Sequence, residues 1–101
     1  EYCVIPQSQT LHIPENVSFV EAAAIPETFF TVWANVFQMG KAKADEVVLV
    51  HGGSSGIGTT ALMLCKSLGI QSFATVGTDE KVQAMKEDFL TLVLQVLRQR
   101  R

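Results

Sequence analysis

The chain has 101 residues, room for one small domain, and its 48% hydrophobic and 18% charged residues are the composition of a folded protein, which excludes disorder. A formal net charge of -2 gives no electrostatic case for nucleic acid, and the one basic cluster, Arg98, Arg100 and Arg101, reads as a solvated end. No apolar run approaches the roughly 20 residues that span a bilayer and no signal peptide opens the chain, so a soluble cytoplasmic protein with reduced thiols at Cys3 and Cys65 is expected.

Tyr2-Cys3-Val4-Ile5-Pro6 has a short β pattern, entered midway without an initiator Met or a cap, as in a piece of something longer. Residues 7–14 read as a turn with a small apolar stretch, Leu11-His12-Ile13. Ser18-Phe19-Val20-Glu21 has the form of a capping box, in which Ser18 accepts the Glu21 amide hydrogen and Glu21 reaches back to the Ser18 N–H. A short helix to about Ile25 is expected from it. Pro26 suits the first turn of a second helix, where its missing N–H is no loss. That helix carries Phe29, Phe30, Trp33 and Phe37, an aromatic stripe expected to be core, and ends near Gly40 as a natural C′ residue.

Glu46-Val47-Val48-Leu49-Val50-His51 follows as a β-branched run, expected to be a strand buried on both faces of a parallel sheet. Gly52-Gly53-Ser54-Ser55-Gly56-Ile57-Gly58 is a flexible turn, and residues 59–68 then show helical spacing that stops at Gly69. Ser72-Phe73-Ala74-Thr75-Val76 reads as a second strand, ended by Gly77-Thr78-Asp79, with Asp79 the expected N-cap of a third helix starting at Glu80. Strand, glycine turn, helix and strand within about thirty residues make a βαβ unit.

A helix N-terminus offers unpaired N–H groups and partial positive charge, so a phosphate binds there if no side chain blocks its approach. Glycines after the strand supply the tight turn and the open path. The spacing here, Gly53-x-x-Gly56-x-Gly58 or Gly52-x-x-x-Gly56-x-Gly58, is not the GxGxxG order, and it gains meaning from its place between a strand and a helix. Sites that prefer NAD carry an acidic residue about 20 positions further on for the ribose 2′-hydroxyl. Gly77 stands at that strand tip, while Thr78 and Lys81 offer a hydroxyl and a positive charge to a 2′-phosphate, so NADPH is the expected cofactor. His12, His51, Cys3 and Cys65 show no metal-ligand spacing, and both histidines are expected to be structural, His51 by bonding the loop backbone.

The octapeptide Pro26-Glu27-Thr28-Phe29-Phe30-Thr31-Val32-Trp33, the stretch VVLVHGGSSGIG starting at Val47, and Thr75-Val76-Gly77-Thr78-Asp79-Glu80-Lys81 together resemble the zeta-crystallin-like quinone oxidoreductases of the medium-chain dehydrogenase/reductase superfamily. The resemblance implies an α/β fold. Residues 1–17 would be the last strand and exit of a GroES-like domain, residues 18–85 a partial Rossmann portion with its linker helices, and residues 86–101 an atypical, helical tail. It implies zinc-independent hydride transfer from NADPH to a quinone or an activated alkene or carbonyl. Gly53, Ser54, Ser55, Gly56 and Ile57 would bracket the pyrophosphate, Gly77, Thr78 and Lys81 the adenosine ribose and its 2′-phosphate, and Thr31 the nicotinamide half. No catalytic residue is identified, and no metal is implied.

After Met85 the family's third strand is missing from the pattern, as if deleted, which would leave an exposed sheet edge. Phe89, Leu90, Val93, Leu94 and Leu97 are expected to form a helix over part of it. With most of the first domain and that strand absent, the 101-residue chain alone is expected to lack turnover and to bind dinucleotide weakly. An enoyl reductase module of a fatty acid or polyketide synthase shares the fold and stays open, as does a non-catalytic nucleotide-binding remnant. A short-chain dehydrogenase fits the glycine pattern less well, because fifty residues precede the turn and Tyr2 is the only tyrosine. The oligomeric state is open.

Overall fold

A computed structural model describes residues 2–89 and 92–95. In chain order the regular elements are α1 (Phe19–Ala24), α2 (Pro26–Val32) continued by a π-helical segment (Trp33–Met39), β1 (Val47–His51), α3 (Gly56–Ser67), β2 (Gln71–Val76), α4 (Asp79–Phe89) and β3 (Leu92–Gln95). The three strands form one parallel sheet in the order β1-β2-β3. Register pairs Val47 with Gln71 and His51 with Thr75, so β1 and β2 end side by side and their following turns open at the same end of the sheet.

The core lies between sheet and helices. Leu62 of α3, Ala74 and Val76 of β2 and Met85 of α4 are buried together, with Val50 and Val82 packed against them. α3 stops in a Schellman motif: Gly69 takes φ +69, its N–H donates to the Lys66 carbonyl, and Ile70 N–H donates to that of Cys65. α1 opens on the expected capping box, with Glu21 N–H donating to Ser18 Oγ at 3.3 Å and Ser18 N–H to the Glu21 carboxylate at 2.9 Å.

Several expectations are corrected. Residues 2–6 form no strand, since a strand requires a partner strand and none of the described strands pairs with them. The tail is not helical throughout: residues 92–95 are a strand, pairing Phe73 with Leu92 and Val76 with Gln95. They pair the edge of β2 that the sequence pattern left open. Leu90 and Leu97 lie outside the described residues. β1 is not buried on both faces. As an edge strand it alternates, with Val47 and Leu49 half-exposed and Val50 packed on the core.

The aromatic stripe is not core: Phe29 and Phe37 are half-buried and none of the four is buried. Val32 is the buried residue of α2, whereas Phe30 and Trp33 are 53% and 45% exposed. Trp33 packs against Phe37 instead, ring centroids 5.0 Å apart and planes tilted by 38°. The left-handed residue after the second helix is Lys41 (φ 53), not Gly40. Gly40 is required by space, because a Cβ there would stand 2.7 Å from the Val36 carbonyl oxygen. Asp79 is not a cap either. It is the first residue of α4, and Thr78 Oγ1 accepts the Lys81 N–H at 3.4 Å. No helix among the described residues is long and apolar enough to cross a membrane.

Candidate dinucleotide site

The C-terminal ends of β1 and β2 carry the two segments expected to meet a cofactor. Between β1 and α3, Gly52 turns the chain at φ +71, a conformation that only glycine adopts without cost. Gly53 is buried, and a Cβ there would stand 2.5 Å from that of Ala74. Gly58 sits where α3 crosses the turn, so a Cβ would collide with the Gly52 carbonyl oxygen and the Gly53 backbone. These three glycines are demanded by the fold itself.

Gly56 and Gly77 are different. A Cβ on Gly56 would meet only Thr28 Cγ2, at an ordinary 3.8 Å, and a Cβ on Gly77 would meet nothing within 4 Å. Packing among the described residues therefore explains neither. Gly56 opens α3 and Gly77 follows β2, positions where the approach of a ligand to the backbone would explain them.

The amides divide in the same way. Gly53 N–H donates to the Thr75 carbonyl at 3.0 Å and Ser55 N–H to that of Gly52 at 2.9 Å, so neither is available to a phosphate. Ser55 is the N-cap of α3, its hydroxyl accepting the Gly58 N–H at 3.0 Å. The amides of Ser54, Gly56 and Ile57 have no partner among the described residues. Gly56 and Ile57 open α3, whose dipole places partial positive charge there.

Across the sheet end, Gly77, Thr78 and Lys81 are exposed. Thr78 accepts a backbone N–H and keeps its hydroxyl hydrogen for a ligand, and no ion pair among the described residues occupies Lys81. Asp79, the first residue of α4, is exposed as well. Thr31 is not brought to the glycine turn by any described contact, and its hydroxyl hydrogen is spent on the Glu27 carbonyl at 2.6 Å. A residue of α2 that does stand near the start of α3 is Thr28, three positions earlier, whose Cγ2 lies 3.8 Å from where a Cβ on Gly56 would be, and spacing alone did not single it out. His51 does not bond the loop backbone as expected; its Nδ1 lies 3.1 Å from Thr75 Oγ1.

Elsewhere, Cys65 is fully buried in α3 and burial pushes its thiol pKa up, whereas Cys3 is exposed. Among the described residues no group of three or more His, Cys, Asp or Glu stands together to hold a metal ion. An apolar cleft of about 680 Å³ lies between residues 5–14 and the first two helices, lined by Ile5, Leu11, Ile13, Phe19 and Phe30 among others.

No family model matches the chain. It is 37% identical over 84 residues to the highly reducing polyketide synthase phiA of Fungal sp. (strain ATCC 74256), a match covering 83% of this chain and 3% of that protein. Among solved structures, the Escherichia coli quinone oxidoreductase complexed with NADPH superposes with a TM-score of 0.72 at 32% identity, over 81% of this chain and 25% of that one. The JamJ enoyl reductase, in its apo form, gives a TM-score of 0.75 at 32% identity, over 84% and 25%. The chain thus spans a small part of each protein it matches. It is a partial Rossmann-type α/β unit, similar to the quinone oxidoreductases and enoyl reductases of the medium-chain dehydrogenase/reductase superfamily.

Proposed function

We propose that this chain is the NADPH-holding portion of a zinc-independent reductase whose substrate is a quinone or an activated alkene or carbonyl. The observation that carries the reading is a pair of glycines that no packing among the described residues requires, Gly56 at the start of α3 and Gly77 just after β2. The amides of Ser54, Gly56 and Ile57 take the pyrophosphate, with Gly53 and Ser55 shaping the turn that presents them. Lys81 supplies charge and Thr78 a hydroxyl to the 2′-phosphate, and Thr31 on α2 borders the nicotinamide half. The bound dinucleotide supplies the hydride. This chain's residues bind and orient it.

Two substrates fit that chemistry. The E. coli oxidoreductase supports a quinone, while the polyketide synthase relative and the JamJ reductase support an enoyl group. Both present a carbonyl that withdraws electrons from the carbon receiving the hydride. We place the protein in the cytoplasm, where its free thiols stay reduced.

The reading is tested by thermal shift and titration with NADPH and NADH, on the parent chain and on Lys81→Ala. NADPH is expected to stabilise more than NADH, and the substitution to weaken NADPH by about five- to tenfold while leaving NADH unchanged. No stabilisation of a folded chain by either dinucleotide would overturn it.

A further inference from the structure

Thr75 occupies the penultimate position of β2, is buried, and is in register with His51 at the end of β1. Three groups from the first strand and its turn converge on it. Gly53 N–H donates to its carbonyl at 3.0 Å, Gly52 N–H donates to its Oγ1 at 3.4 Å, and His51 Nδ1 lies 3.1 Å from that same oxygen. An N–H can only donate, so Oγ1 accepts from Gly52 and keeps its own hydrogen and a second lone pair for the ring. The His51 contact therefore holds whichever role the ring nitrogen takes.

Gly52 needs such an anchor. At φ +71 it has a glycine's wide conformational freedom and no side chain to restrain it, yet it sets the direction of every amide that follows. We propose that Thr75 is a positioning residue for the dinucleotide site: its hydroxyl and carbonyl fix Gly52 and Gly53, and so aim the amides of Ser54, Gly56 and Ile57. His51 holds the hydroxyl in place. The proposal rests on the reading of this turn as the pyrophosphate site.

Thr75→Val keeps the shape and removes the hydroxyl, while Thr75→Ser keeps the hydroxyl. Without ligand, the Gly52 amide is expected to exchange with solvent about tenfold faster in Thr75→Val and within about twofold of the parent in Thr75→Ser. The Gly58 amide, capped by Ser55, should keep its rate in both. With ligand, Thr75→Val should lose about fivefold in NADPH affinity, but nothing toward adenosine 2′-monophosphate, which has no pyrophosphate. Thr75→Ser should bind both as the parent does. Equal acceleration at Gly52 and Gly58, or equal loss of both ligands, would mean that Thr75 serves stability alone and would overturn the proposal. Failure of the parent chain to bind NADPH would overturn the nucleotide reading instead, and exchange at Gly52 would then decide for or against the anchor by itself.

Discussion

Gly56 and Gly58 are two positions apart and under opposite constraints. A methyl group on Gly58 has nowhere to go, because the Gly52 carbonyl and the Gly53 backbone already fill the space, and backbone does not yield as a flexible side chain would. Gly58→Ala should therefore destabilise the fold by roughly 2–3 kcal/mol. Gly56→Ala meets only Thr28 at van der Waals distance and should leave thermal stability unchanged to within about 0.5 kcal/mol. It should nonetheless weaken NADPH, since the new methyl stands on the path to the turn. Denaturation midpoints and NADPH titrations of the two variants check this pairing, and similar destabilisation by both would contradict it. The glycine-rich segment was legible in the sequence, but its two possible spacings were not separable there. Which glycine serves packing and which serves approach depends on Ala74 and Gly52, neighbours that only the folded chain brings within reach.

The helix caps show where local pattern suffices and where it slips. The capping box at Ser18 and Glu21 is a purely local motif, and it forms as read. The Ser18 hydroxyl first, and then its backbone N–H, hold the Glu21 carboxyl pKa below the ordinary carboxylate value, against a small opposing effect of burial. A depressed folded-state pKa contributes stability that is complete above the ordinary value of 4.5 and is lost as pH falls from there through the depressed one. The start of α1 should therefore fray on acidification below about pH 4.5, and Ser18→Ala should return Glu21 to an ordinary titration. Following the Glu21 side-chain carbon signal against pH measures both, and a titration unmoved by the substitution would contradict the box. At α4 the cap lies one residue earlier than the pattern suggested. Thr78 and Asp79 are both good caps, and the choice follows from where β2 releases the chain. The π-helical continuation of α2 left no signal in residue spacing, because its aromatic stripe fits an ordinary helix equally well.

At the scale of the molecule, the βαβ unit was legible because a strand, a glycine turn, an amphipathic helix and a second strand follow one another at the right distances. β3 was not. Leu92-Val93-Leu94 is too short an apolar run for its period to distinguish strand from helix, and the open edge of β2 decides the matter. The same sheet order leaves β1 at the other edge among the described strands, and Val47 and Leu49 stand half-exposed on one of its faces. Parallel register then puts both turns at one end of the sheet, which turns two unremarkable glycine segments into one candidate site. The central claim, that NADPH lies across this end, is tested most directly by following backbone amide signals in a nitrogen–proton correlation spectrum as NADPH is added. Movement is expected at Ser54, Gly56 and Ile57 and at Gly77, Thr78 and Lys81, with Leu11 and Ile13 in the apolar cleft unmoved. Shifts confined to the cleft, or none in a folded chain, would contradict the account.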